Sequence, residues 1–246
     1  MSARIELALF AGGARLVSGS HAEESHYAGD GTRGDAAALT AVLQRLHEKI
    51  PSRTRGAALY AQLGMAHAHI ALMQVEGAQA RELLSGTADV HVHAWVRDML
   101  HLEPESQVIR WRALERHSAL LVSCIDRGVF ESIEAHCSRN GLRFVSCKPA
   151  MLAMIGADQK TKAKVQDVTL AWTECAKEDA PFEALQLLRL RQGELSAAWR
   201  GWVPSCDREQ RLDGAIRRFL ACHDIPADRH VRHLRWPDRD SAKAPA

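Results

Sequence analysis

The sequence predicts an α/β chain with mixed sheets, built from two similar units. Three observations predict it. Short apolar runs, a helical stretch and further apolar runs follow one another near the start, and the same succession returns after residue 165. A chain of 246 residues makes one large domain or two small ones. Hydrophobic residues are 46% and charged residues 25%, which supports a packed core and excludes wholesale disorder.

The first unit opens with a hairpin. Ile5 to Phe10 and Ala14 to Ser18 are short apolar runs joined through Gly12-Gly13. A weak third strand is placed around His26-Tyr27. Leu39, Val42, Leu43, Leu46 and Ile50 then form one stripe of helical period. Asp35 suits the N-cap and Pro51 ends the helix. Ala57 to Tyr60 and His67 to Met73 are strands on either side of Gly64.

A mixed stretch follows. Helices are expected at Gln79 to Leu84 and from Val92 to Leu100, then a loop at Glu103-Pro104-Glu105. Val108 to Trp111 and Ala119 to Cys124 are strands, the second short and apolar as a buried strand is. Val129, Ile133 and Cys137 share a helix face, and Asn140-Gly141 stops that helix because both tolerate the left-handed conformation. Leu142 to Val145 is a strand, and Pro149 opens a short helix through Ile155.

Gly156 to Lys164 is polar and reads as a boundary. Val165 to Trp172, Phe182 to Arg191 and Leu195 to Val203 are strands, the last two linked at Gln192-Gly193-Glu194. A helix from Asp207 carries Leu212, Ala215, Ile216, Phe219 and Leu220 in register. Ile225 to Trp236 is a final strand, and 238–246 is expected to be a disordered tail.

Several function classes are excluded early. The net charge is +2, too small to argue for nucleic acid on bulk electrostatics. The six cysteines, at 124, 137, 147, 175, 206 and 222, form no CxxC pair. That disfavours a zinc knuckle or a dithiol redox site, and the expected compartment is the reducing cytoplasm. No run approaches the roughly 18 apolar residues of a membrane span. An acid at Glu6 spoils a secretory leader.

The block Leu120 to Cys124, its following helix, and Asn140-Gly141-Leu142-Arg143-Phe144-Val145-Ser146-Cys147-Lys148-Pro149-Ala150-Met151-Leu152 resembles the actin-like proteins of type IV pilus and type II secretion machines. Ala94-Trp95 through Pro104 to Trp111 is similar to that family's helix, proline loop and strand. Val168 to Trp172, Leu187 to Gly193 and Ala197 to Val203 look like the opening strands of its second unit. The resemblance implies two RNase H-like, actin-type subdomains. The first would comprise 1–75 plus 146–158, with a small inserted subdomain at 76–145. The second, reduced, would comprise 165–237. The members nearest in kind are PilM and the cytoplasmic part of GspL.

The resemblance also specifies a nucleotide site. Two glycine hairpins let backbone N–H groups reach phosphates, an acid at each holds Mg²⁺, and a late glycine pair admits adenine. Here the first hairpin, Ala8-Leu9-Phe10-Ala11-Gly12-Gly13, keeps its glycines but lacks the Asp. The second, Ala171-Trp172-Thr173-Glu174-Cys175, has no glycine, and only Glu174 supplies an acid. The last, Leu234-Arg235-Trp236-Pro237, has none. Gly12, Gly13 and Glu174 are thus degenerate phosphate-loop positions, and no catalytic residue, cofactor or metal is assigned.

Other constellations are weaker. Gly29 to Gly34 matches GxGxxG, but the polar Ser20 to His26 is a poor buried strand and Arg55-Gly56 replaces the acid a dinucleotide needs. His67 with His69, and His91 with His93, are HxH pairs lacking a third ligand. No GxSxG occurs, and Cys124 and Cys147 sit in apolar strands where thiols are inert. Asp167 and Glu174 are the only acids near the second unit's first strand, too few for two-metal nuclease chemistry. Lys160, Lys162 and Lys164, and the segment Arg229 to Trp236, read as a solvated linker and a strand edge.

The expectation is therefore a non-catalytic actin-like adaptor of a pilus or secretion assembly platform. By resemblance it would be cytoplasmic, at the inner face of the bacterial inner membrane, and held there only through partners. Those partners would be proteins, not nucleic acid: a short N-terminal segment of a bitopic membrane protein, or an assembly ATPase. A homodimer is left open. A divergent ATP-binding protein of the same fold, and a small metal-binding α/β protein, are the alternatives.

Overall fold

The computed structural model describes residues 3–27, 36–49, 55–75, 88–114, 119–153, 155, 167–174, 181–192, 194–226 and 231–236. In chain order the elements are β1 (Arg4–Phe10), β2 (Gly13–Ser18), β3 (His21–His26), α1 (Ala36–Glu48), β4 (Ala58–Leu63), β5 (Ala68–Gln74), α2 (Ala88–Leu100), β6 (Gln107–Leu114), β7 (Ala119–Asp126), α3 (Arg127–Arg139), β8 (Arg143–Pro149), β9 (Val168–Glu174), β10 (Phe182–Arg191), β11 (Glu194–Pro204), α4 (Arg208–Cys222) and β12 (Val231–Trp236).

The chain divides into two compact units. The first draws on residues 1–68 and 125–155. Its sheet has the order β3-β2-β1-β4-β8. The first three strands are antiparallel neighbours, whereas β4 runs parallel to β1 and β8 parallel to β4. Alternation along β1 buries Ile5, Leu7 and Leu9. Helix α1 buries Leu39, Val42, Leu43 and Leu46, the stripe read from its period. It packs on β2 and β3, α3 packs on β8, and the two helices pack on each other. Asp126 caps α3, its Oδ1 accepting from the Val129 N–H at 3.0 Å. Gly141 follows the C-terminal turn with φ of 64°, as the Asn-Gly stop requires.

The second unit draws on residues 69–124 and 156–236. Its larger sheet has the order β11-β10-β9-β12, with β12 parallel to β9 and the other pairings antiparallel. Counting strands within each of these two sheets, both share the succession third-second-first-fourth with the same parallel step, and the first sheet adds β8 as a fifth strand. Leu212, Ala215, Ile216, Phe219 and Leu220 of α4 close over Ala171, Leu185, Leu187, Ala197 and Val203. A smaller sheet, β5-β7-β6, carries α2 and has its own core of Val75, Val92, Val96, Leu120, Val122 and Cys124.

Strand β10 is buried along eight consecutive residues, and three of them are charged or amide side chains. Each has a partner, as burial demands. Glu183 accepts from Arg208 Nε at 2.7 Å. Gln186 donates to the Ile70 carbonyl at 3.0 Å. Arg189 donates to Asp167 at 3.0 Å.

Several expectations differ in place. The third strand, expected around His26-Tyr27, lies earlier and ends at His26: it spans His21–His26, the polar stretch read as a poor buried strand. It forms an antiparallel edge and needs no apolar face. The Pro104 loop is one 3-10 turn, Pro104–Ser106. The last strand starts at Val231, and Ile225 instead packs against the α4 core. Residues 125–145, expected in the insert, group with the first unit, because α3 packs its apolar face on α1 and β8 pairs with β4. The expected helix at 79–84, the GxGxxG motif, the lysine run and the tail at 238–246 lie outside the described residues.

Candidate functional site

The first hairpin places Gly12 and Gly13 directly after β1, where the resemblance expects a phosphate loop. Both are buried. Gly13 pairs with His26 of β3, and a Cβ there would overlap the Ser25 carbonyl oxygen and lie 2.8 Å from His26 Cα. Close approach of two strands therefore demands the glycine, independent of any ligand. The Gly12 carbonyl accepts from the Tyr27 N–H at 3.1 Å.

Rings surround this hairpin. Phe10 meets His26 edge-on, with centroids 6.1 Å apart, and Tyr27 meets His67 at 6.5 Å. The buried His67 sets its Nε2 3.4 Å from the Phe10 carbonyl oxygen. The expected aspartate position is thus occupied by apolar and aromatic groups, and the nearest acid in the strand, Glu6, is committed to Arg4 at 2.9 Å. Sequence reading missed His26, Tyr27 and His67 here. They converge from separate segments, and no local signal marks them.

In the second unit, Glu174 ends β9, opposite Ala184 on one side and Trp236 on the other. It is 1% exposed. Trp172, two residues earlier, is equally buried, so its indole belongs to the core. Thr173 receives Arg208 Nη2 at 3.0 Å, which ties the start of α4 to this strand end. The positions of Phe10 and Glu174 are equivalent, each ending the first strand of its sheet. Cys175 to Ala180 and Pro237, which carry the rest of the two expected loops, lie outside the described residues.

The remaining candidates separate. Asp167 and Glu174 stand at opposite ends of β9. Asp167 is held by Arg189 and by the Gln192 N–H at 3.2 Å. His67 faces the first hairpin, whereas His69 pairs with Arg200. His91 and His93 lie on helix α2, where i and i+2 do not share a face. No group of three or more His, Cys, Asp or Glu suited to a metal occurs among the described residues. Burial pushes the Cys124 thiol up to about 11 and the Cys147 thiol to about 12, which leaves both protonated and unreactive.

The geometry finds its match among solved structures. A Bacteroides thetaiotaomicron protein with an actin-like ATPase fold and unknown function aligns over 95% of this chain and 81% of its own, at 12% identity and a TM-score of 0.55. The PilM-PilN type IV pilus biogenesis complex aligns over 95% and 81%, at 13% identity and 0.65. The fold is actin-like. The cytoplasmic domain of EpsL, an inner membrane component of the Vibrio cholerae type II secretion system, aligns over 95% and 82%, at 8% identity and 0.52. No protein-family model and no curated protein sequence matches the chain. Among the described residues no helix is long and apolar enough to cross a membrane. On the actin-like fold, the β1 and β9 strand ends are where phosphate loops are expected, and the first one here is built from packing residues.

Proposed function

We propose that this chain is a non-catalytic actin-like adaptor, serving a pilus or type II secretion assembly platform at the inner face of the bacterial inner membrane. One observation carries the proposal. At the first hairpin Gly13 is consumed by strand packing, and Phe10, His26, Tyr27 and His67 stand where an acid and its Mg²⁺ waters would be needed. A phosphate approaching there would meet rings and the Phe10 carbonyl oxygen, and the nearby Arg45 guanidinium is already donating to the His26 carbonyl at 3.1 Å. The likeness to the PilM-PilN complex and to the EpsL domain supports the platform setting.

Such an adaptor binds segments of partner proteins: the N-terminal segment of a bitopic membrane protein or an assembly ATPase. Its membrane attachment runs through those partners. It turns over no nucleotide and takes no cofactor. Calorimetric titration with ATP and Mg²⁺ tests this. The expected result is no saturable heat up to millimolar nucleotide. Saturable binding in the micromolar range refutes the adaptor reading in favour of an ATP-binding protein.

A further inference from the structure

The outer face of α4 carries an open groove of about 330 Å³, lined by Asp207, Gln210, Arg211, Gly214 and Arg218. The inner face of the same helix is committed to the core. Asp207, Gln210, Gly214 and Arg218 are spaced by three, four and four, and Arg211 stands four after Asp207 and three before Gly214, so the five residues lie on one stripe.

Two features separate this stripe from an ordinary solvated face. First, its arginines are uncommitted. Arg208 is bonded to Glu183 and Thr173, and Arg217 to Asp213 at 2.7 Å. Arg211 and Arg218 are exposed and make no ion pair with any described residue. Second, Gly214 stands between them in the helix interior, where glycine is a poor choice. A Cβ there would touch nothing within 4 Å. Packing does not require the glycine; what it leaves is a notch of bare backbone between two guanidinium groups.

We propose that this groove docks an acidic segment of a partner protein. Arginine is the residue suited to carboxylates, because its planar fork takes both oxygens. The seven steps from Arg211 to Arg218 rise about 10.5 Å along the helix. Two glutamates seven apart on a partner helix match that span. Asp207, at the groove's other end, adds polarity: it repels a third acid and favours a cation four residues further on. The partner helix, running antiparallel, therefore reads Glu, Glu and Lys at i, i+7 and i+11. The notch at Gly214 lets its backbone come close.

The inference builds on the adaptor reading by naming the chemistry of one partner. The two fail separately, since Mg-ATP binding is measured independently of peptide binding. The probe is a fluorescein-labelled alanine-based helical peptide with Glu, Glu and Lys at i, i+7 and i+11, titrated into the full chain and read by anisotropy. A second peptide carries Gln for both Glu. Saturable binding of the acidic peptide, weakened by salt, is expected. R211Q and R218Q should each weaken it about five-fold. Gly214→Gln fills the notch with a better helix former, so it should lower affinity while raising the melting temperature. Equal binding of both peptides, no saturable binding, or unchanged affinity in R211Q and R218Q overturns the proposal. So does binding of phosphatidylglycerol vesicles through the two arginines without peptide binding.

Discussion

Acid should loosen the first unit through one buried ring. His136 of α3 is 1% exposed and stands edge-on to His47 of α1, with centroids 5.4 Å apart. The Asn140 side-chain amide lies 3.3 Å from His136 Nδ1, which makes that nitrogen the acceptor and leaves the neutral ring's proton on Nε2. His136 Nε2 and His47 Nδ1 are buried with no hydrogen-bond partner among the described residues. Burial first, then the neighbouring His47 and Arg139, lower His136 from 6.5 to about 4. Burial lowers His47 as well, against an opposing pull from Glu48.

The sign follows from linkage. The folded ring binds its proton less readily than the unfolded one, so between pH 6.5 and 4 the unfolded chain holds more protons. The stabilisation is complete above 6.5 and declines as pH falls through that window. A drop from 6.5 to about 4 corresponds to about 3 kcal/mol in full, of which about 2 kcal/mol is gone by pH 5. Urea unfolding of the wild type and of His136→Gln, at pH 7.5 and pH 5, cancels the titrating groups that do not touch this ring. The stability difference between the two proteins should shift by about 2 kcal/mol toward the variant at pH 5. Parallel pH profiles, or a ring titration by NMR with its midpoint near 6.5, would refute the reasoning.

Three further outcomes test the fold around the site. Gly13→Ala forces β3 away from β2, because its Cβ overlaps the Ser25 carbonyl oxygen, and should cost about 1–3 kcal/mol in denaturant melts. Asp126→Ala removes the α3 cap and should cost about 1 kcal/mol by the same assay. Arg208→Ala leaves the Glu183 carboxylate, 7% exposed, without its cation, and should cost about 2–4 kcal/mol, with Glu183→Gln restoring part of the loss in the double variant.

Much of the fold was legible because periodicity is local. The stripe Leu39, Val42, Leu43 and Leu46 and the Asn140-Gly141 stop lie within single elements, and the structure has them as read. The hairpin at Gly12-Gly13 was legible for the same reason. The edge strand His21–His26 was not, since its polar residues satisfy no apolar template and only pairing with β2 makes it a strand. The insert's limits were also hidden. Helix α3 and β8 follow β7 without a break in composition, and which unit they join is decided by α1 and β4, about 80 to 90 residues earlier. At the site, the missing aspartate could be read from the chain. What replaces it could not, because His67 and Phe10 are 57 positions apart.

The two strand ends show that the sheet order rests on contacts that need no ligand. Each sheet keeps the third-second-first-fourth order, because that order is fixed by buried strands such as β1 and β9 and by the helices over them. None of those contacts involves a phosphate. At the β1 end Gly13 is required for a reason a ligand does not supply: β3 lies too close for a Cβ. At the β9 end, Glu174 and Trp172 are buried side chains whose surroundings are protein. A glycine in a phosphate hairpin is therefore poor grounds for nucleotide binding unless its Cβ would meet empty space. Gly13 fails that test and Gly214 of α4 passes it. Gly19 and Gly56 pass it too, but at positive φ, where the backbone itself calls for glycine; Gly214 needs no such conformation and stands between two arginines on the outer face of α4.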